Sequence, residues 1–522
     1  MSNQCSNTFP QQCKFNKYKE YKECILHFDK KEMSSLHNPY FTEPEQFYNH
    51  LVSYIVESVF EYAGNQIEND KDTLRDYLKG VQVPNKENVA KKLKATKIVF
   101  TKVSFPNTDD REQYNYETVL KKLGKIWFNY CDFYIPHLDI EHIECFFQDC
   151  NFYEYWSLKN FKAFKDLDDL EVYNTCTFHE DINASGGEKD QYLLEYIQFN
   201  GCTFKKELTF ENIHALKPIF KDWSEFKSSI NTLKISNCKI VDRFTIDNYT
   251  IENVLFENTV FTEKFEFINN TVNIMDVNNS NFDKLAEFYE SDFKQFKIFK
   301  SIFTDYTGFE KCEFGKDEDI GNQYITNFQY VTFLSFVNFR NTNFKSGLLF
   351  EDTNLKESPN FLNSKISFKN TSRETFRIIK YSFDKLGNHI EANKYFSLEM
   401  KKYKEELSKS SIWSQERFIF WFNEKVSNYG QNYLKATMWL LISSFLYTLL
   451  IVLSENIEFK DWLRNQDLML STIKYLNSWF SSIIIFKKLL PPNLEFATVI
   501  FAILQSTLIW HILVSVRRHS KR

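Results

Sequence analysis

Glycine and proline are scarce in this chain of 522 residues, at 12 and 10. That scarcity excludes a collagen-like or proline-rich architecture and a fold built on tight glycine turns. No Gly-rich phosphate loop, nucleophile elbow or His-Glu-x-x-His motif occurs, and the ten histidines are scattered. His137, His142 and Cys145 are the nearest approach to a catalytic cluster, yet Cys145 already has a packing place two residues before Phe147. We therefore expect a chain that is not an enzyme. The opening residues, Met1-Ser-Asn-Gln-Cys5, lack an apolar signal core, so nothing there is expected to send the following region across a membrane.

Phenylalanine, by contrast, reaches 54 residues, and much of it is periodic. Phe339-Arg-Asn-Thr342-Asn-Phe344 is followed by Phe350-Glu-Asp-Thr353-Asn-Leu355 and by Phe361-Leu-Asn-Ser364-Lys-Ile366. The unit reads Phe, any, any, small, any, Phe. It extends upstream through Phe328–Phe333, Phe309–Phe314, Phe288–Phe293 and Phe256–Phe261, with weaker copies back to Phe128–Phe133. A step of five between bulky residues fits neither the 3.6 period of a helix nor the 2.0 period of a half-exposed strand. It fits a chain that turns a corner after each short strand. The Phe then points inward, the residue two before it lies inward at a cramped corner, and the other three meet water. Phe309-Glu-Lys-Cys312-Glu-Phe314 obeys this rule. So many copies at a fixed period predict a solenoid.

On these residues the chain resembles the pentapeptide-repeat family, in its Phe-rich form with alternating five- and six-residue steps. The steps are clearest from Phe328 through Phe333, Phe339, Phe344, Phe350, Leu355 and Phe361 to Ile366. The resemblance implies a right-handed quadrilateral β-helix; with the flanking α-helices and two C-terminal transmembrane helices read from the sequence below, the expected fold is mixed. Its core residues would be Cys131, Phe133, Cys150, Phe152, Cys176, Phe178, Cys202, Phe204, Cys238, Cys312, Phe314, Phe333, Phe339, Phe344, Phe350 and Phe361. Seven of the ten cysteines (Cys131, Cys145, Cys150, Cys176, Cys202, Cys238, Cys312) lie two before a Phe or Ile, which marks them as buried fillers in a reducing compartment. Around Trp156–Leu170, Asn183–Tyr192, Glu211–Ile230 and Gly315–Tyr324 the register lapses, and loops or short helices are expected there.

The other three cysteines form Cys5, seven residues, Cys13, ten residues, Cys24, two residues, His27. A Cys-x2-His pair is a local chelate, and two more thiolates complete the four ligands tetrahedral zinc prefers. The spacing resembles small Cys3His zinc modules, which implies one structural zinc and no other cofactor; the alternative is three reduced surface thiols in a Lys-rich tail. Next, Phe47, Leu51, Ile55 and Val59 give one apolar helical face, a second helix ends near Gly80, and Val99, Val103 and Phe105 suggest first strands or a cap.

After Ile366 the pattern becomes helical. Ser372 is an N-cap, and Phe376, Ile379, Phe383 and Leu386 form a stripe that ends at Gly387-Asn388. A charged helix from His389 to about Leu407 completes a hairpin expected to cap the solenoid. Trp413–Val426 is aromatic and amphipathic, suited to a membrane interface or to packing on the hairpin. Ala436–Ser454 and Phe496–Val516 each reach the ~20 apolar residues of a membrane span. Between them a helix is expected at about Asp467–Leu490, stopping at Pro491-Pro492, with Trp462, Trp479 and Phe480 at headgroup level. The expected organisation is thus 1–40 zinc module, 41–95 helical region, 96–370 solenoid, 371–430 hairpin and juxtamembrane helix, 436–454 first span, 455–495 loop, 496–516 second span and 517–522 basic cytoplasmic tail.

Residues 101–370 hold 29 Lys or Arg against 43 Asp or Glu, whereas the whole chain is −5. An acidic surface argues against direct nucleic-acid binding. Lys and Arg flanking the spans place both termini in the cytoplasm, and the expected location is a bacterial inner membrane. The leading expectation is a membrane-anchored scaffold that binds an unidentified protein. The alternatives are a DNA-mimic regulator of a DNA-handling enzyme, as the family resemblance implies, and a two-span channel. A glycine-free loop lacks the potassium-filter pattern, and Gln505 and His511 are read either as a polar pathway or as bonds to a neighbouring helix.

Overall fold

The computed structural model describes residues 4–7, 13–31, 43–63, 71–107, 113–140, 143–158, 161–164, 171–187, 191–221, 227–316, 322–350, 352–408, 415–454, 476–477, 479–481 and 494–520. Two units are distinguished, Met1–Asn370 and Thr371–Arg522. The helices are α1 (Pro44–Ala63), α2 (Lys71–Leu78), α3 (Lys86–Ala95), α4 (Glu117–Leu120), α5 (Arg373–Lys385), α6 (His389–Leu407), α7 (Gln415–Ser427), α8 (Tyr433–Ser454) and α9 (Glu495–Ser520).

Among the described residues, strands of the first unit form four sheets of five, sixteen, eight and five members, paired in parallel. Parallel neighbours need a long crossover between them. Here the crossover is the passage through the other sheets: Phe244 lies opposite Phe265, Phe261 opposite Phe282 and Val277 opposite Ile298, a return every 21 residues. Inward positions within one return follow steps of five, five, five and six, as in Ile246, Ile251, Phe256, Phe261 and Phe267. The alternating five-six rhythm expected from the sequence holds only near Phe328–Ile366, where Phe344 lies opposite Ile366.

Two corrections concern the position two before each bulky residue. On one pair of sides it is small, as in Thr259, Ser280 and Ser301, or Ser291 and Cys312. On the other pair it is large and equally buried: Phe244 and Phe265, or Val254, Met275 and Phe296. The small set is also more than filler. Ser291 Oγ donates to Phe267 O at 3.1 Å and Tyr289 O at 3.3 Å, and Cys176 Sγ reaches Phe147 O and Asn174 O, each at 3.3 Å. A short side chain with a donor satisfies carbonyls that the corner removes from the ladder. Cys145 differs from the other six, because it sits inside the strand Glu144–Gln148 opposite Ile126.

The corners explain the scarcity of glycine. Asn237, Asn258 and Asn279, and between them Asn248 and Asn269, adopt left-handed φ of 47–62°. Asparagine tolerates that region better than other residues with a Cβ. The Asn side chains then ladder, Asn258 Nδ2 to Asn237 Oδ1 at 3.1 Å and Asn279 Nδ2 to Asn258 Oδ1 at 2.8 Å. Gly201 takes the equivalent place, immediately before Cys202.

All sixteen expected core residues, from Cys131 to Phe361, are buried. Their rings stack between returns: Phe133–Phe152 at 4.8 Å, Phe152–Phe178 at 4.5 Å, Phe314–Phe344 at 5.1 Å and Phe339–Phe361 at 5.0 Å between centroids. Each such Phe contributes about 1.5–3 kcal/mol by burial. Upstream, however, the return lengthens. Phe152 lies opposite Phe178, Phe178 opposite Phe204 and Phe204 opposite Ile230, each 26 residues on. Three stretches expected to be loops therefore carry strands: Trp156–Ser157, Ile182–Ser185, and Ile213–Ala215 with the start of Ser228–Ser236. Trp156 is fully buried 4.5 Å from Phe152. The fourth stretch contains a 3-10 turn at Asn322–Tyr324, and residues 317–321 fall outside the described set. At the start of the sheets, the expected first strand is present as Lys97–Thr101, which buries Ile98 and Phe100 while Val99 faces out.

In the second unit, Ser372 Oγ accepts from Thr375 N at 3.2 Å and starts α5, which buries Phe376, Ile379 and Phe383. Leu386, expected on that face, is exposed, because α5 stops at Lys385 and Gly387 turns the chain at φ 73°. Helices α8 and α9 contain the stretches Tyr433–Ile451 and Glu495–Arg518, long and apolar enough to cross a membrane. Both begin before the expected spans, and α9 continues through Arg517–Ser520, so the described part of the basic tail is helical. Val426, Ala436, Leu440 and Leu508 form a core among α7, α8 and α9. Residues 479–481 are helical, but most of the expected loop helix, with Trp462 and Pro491-Pro492, lies outside the described residues.

Candidate metal centre

The N-terminal segment has almost no regular structure, so short backbone bonds place its ligands. Cys5 N donates to Phe15 O at 3.0 Å and Cys13 N to Asn7 O at 2.9 Å, which folds the first two cysteines together. A helical turn follows, with His27 N at 3.0 Å and Phe28 N at 3.1 Å from Cys24 O. Residues three apart on such a turn share a face. Cys24 Sγ and His27 Nδ1 are consequently 3.2 Å apart.

The four side chains converge: Cys5 Sγ is 3.7 Å from His27 Nδ1, Cys13 Sγ is 3.8 Å from Cys24 Sγ, and all four ligand atoms lie within 4.8 Å of one another. Zn–S bonds of ~2.3 Å in a tetrahedron imply S···S edges of about 3.8 Å, so the thiols already stand at zinc spacing. Cys24 N also donates to Cys5 Sγ at 3.1 Å, the kind of support that a metal-bound thiolate receives. Among the described residues this is the one His, Cys, Asp and Glu grouping of such geometry. Cys5, Cys24 and His27 are buried and Cys13 is half-buried. The hydrogen bond with Cys13, then burial, pushes the Cys24 thiol up to about 12, while the same bond lowers Cys13. Burial alone would lower His27, but hydrogen bonds to Cys24 and Cys5 outweigh it and hold the imidazole up at about 9. Metal binding by thiols and an imidazole releases their protons, so affinity at such a cluster falls as the pH is lowered.

The turn also meets the first sheet strands. Ser104 N donates to Leu26 O at 2.8 Å, and Tyr134 OH to Asp29 Oδ1 at 2.6 Å. Lys30, only 2% exposed, donates to Leu26 O and Phe28 O at 3.3 Å each and lies over the rings of Phe28 and Phe47. Burial pulls its ammonium down to about 7. Asp29, Lys30 and Tyr134 escape a reading by motif, since they are neither ligands nor repeat positions; the Asp-Lys pair directly after Phe28 is the only local signal. In the same unit, Phe47, Leu51, Ile55 and Val59 are fully buried on α1, and Phe47 packs on Phe105.

The remaining candidates are dispersed. His137 is half-buried, Cys145 is inside its strand and His142 lies outside the described residues. Ser427 Oγ is 3.1 Å from His511 Nδ1, Tyr447 OH donates to Thr498 Oγ1 at 3.1 Å, and Gln505 is wholly buried. No protein-family model, curated protein or solved structure matches this chain.

Proposed function

We propose that this chain is a non-catalytic scaffold anchored in a bacterial inner membrane by two spans, with both termini in the cytoplasm. In this reading the parallel sheets form a right-handed, four-sided β-helix of pentapeptide-repeat type. Four inward pairs per 21-residue return support that reading. The coiled sheets offer a protein partner a rigid, acidic outer surface on which Glu252, Glu257, Glu263, Asp283 and Asp305 are exposed. Zinc at Cys5, Cys13, Cys24 and His27 would supply only a cross-link, holding the turn whose Leu26 carbonyl pairs with Ser104. That turn then covers a sheet end that would otherwise present unpaired edges.

The observation that carries the proposal is the joining, in one chain, of ring-packed parallel sheets and two helices long and apolar enough for a bilayer. Its test compares native-membrane capture by the full chain with capture by a variant carrying Glu252→Lys, Glu257→Lys and Asp283→Lys. A protein partner held by the wild type and lost by the variant is expected. Equal capture by both would remove the acidic surface from the account. Inhibition of DNA supercoiling by the purified chain would instead favour DNA mimicry.

A further inference from the structure

Helices α7, α8 and α9 line a half-open groove of about 440 Å3, within the size range of ligand pockets. Trp421 and Phe422 come from α7, Trp439 from α8, and Phe501 and Leu504 from α9; of the lining side chains only Lys425 and Ser443 are polar. Trp439 Nε1 donates to Lys425 O at 3.2 Å, which ties the α7 rim to α8. The Lys425 side chain is exposed and, among the described residues, has no ion pair or hydrogen bond. Nearby carboxylates are engaged elsewhere: Glu424 with Lys404 and Glu416 with Tyr403 OH. The groove is therefore a hydrocarbon-lined slot with one uncompensated cation at its mouth. Water is disfavoured in such a slot, and a chain of methylenes fills it without polar penalty.

We infer that this groove holds one acyl chain of an anionic glycerophospholipid, with the lipid phosphate paired to the Lys425 ammonium. The inference rests on the reading that α8 and α9 span a bilayer. Within that setting the occupant follows from the two walls: spans open sideways onto acyl chains, and α7 turns Phe418 and Ile419, 65% and 52% exposed, toward headgroup depth. A lysine there selects phosphate over a zwitterionic surface, and the rim fixed by Trp439 sets the distance between the headgroup and the chain.

The test uses the full chain in nanodiscs of equimolar phosphatidylglycerol and phosphatidylcholine with identical acyl chains, released for native mass spectrometry. One retained phosphatidylglycerol is expected, about fivefold over phosphatidylcholine, and Lys425→Gln abolishes that preference. Ser443→Phe, which fills the slot, removes the adduct of either headgroup. Equal retention of both lipids by the wild type, an unchanged preference in Lys425→Gln, or an undiminished adduct in folded Ser443→Phe overturns the proposal. Alkaline carbonate washing of native membranes separates the two failures. Release of the chain sinks the membrane reading itself, whereas a resistant chain that retains no phosphatidylglycerol sinks the groove alone.

Discussion

Phenylalanine meets opposite fates in the two units. Phe282, Phe293 and Phe309 of Met1–Asn370 are buried to the last ångström, each stacked on a ring one return away, while Phe418 and Phe496 of Thr371–Arg522 are 65% and 81% exposed. Exposed large apolar side chains in such number are unusual on a monomer in water and ordinary on one in lipid. The same side chain thus closes a core in the first unit and stays at the surface of the second, whose helices α8 and α9 are long and apolar enough to cross a membrane.

The largest expected effect lies at the candidate metal centre, where no Phe ring column supplies the packing. Structural zinc in small modules binds with about 10–16 kcal/mol, so Cys24→Ser is expected to abolish stoichiometric zinc and to speed hydrogen exchange in residues 13–31. Metal analysis and exchange mass spectrometry of the full chain read both. Undiminished zinc in that variant would refute the site.

The next effect breaks or sharpens the comparison itself. Phe282 stacks on Phe261 at 5.0 Å and Phe303 at 4.5 Å, so Phe282→Ala should destabilise the first unit by about 3–5 kcal/mol in chemical denaturation. Phe496→Ala, measured in detergent, should stay within about 0.5 kcal/mol. Similar losses at the two positions would mean that the two units do not differ in the way argued above.

Two smaller effects probe the corners. Ser291→Ala removes the one hydroxyl donor shared by Phe267 O and Tyr289 O and should cost about 1–2 kcal/mol, against little for the outward Asp283→Ala. Asn258→Val places a β-branched residue at φ 49° and should cost about 1 kcal/mol, whereas Asn258→Gly should be nearly neutral. A valine tolerated as well as glycine would show that the left-handed corner is not what selects asparagine.

Much of the first unit was legible because its period is written in one residue type. Phe, small and Phe at steps of five identify inward positions without knowledge of neighbours, and the small residues were read correctly as buried. Their hydrogen bonds were not, since one of the two accepting carbonyls lies a return away, as Phe267 does from Ser291. The 26-residue returns were misread as loops because the added residues shift the spacing while leaving strands such as Ile182–Ser185 paired. Leu386 failed for a local reason: its helix ends one residue too soon. The grouping of Cys5, Cys13, Cys24 and His27 was legible from spacing alone. Lys30 and Tyr134 were not, because their roles depend on which strand the turn covers.

The most direct test of the account is a cryo-electron microscopy map of the full chain in lipid nanodiscs. The account predicts α8 and α9 crossing the disc, with a four-sided stack of parallel layers ~4.8 Å apart outside it. A map in which α8 and α9 lie outside the lipid, or in which the strands close into any other arrangement than stacked returns, would contradict it.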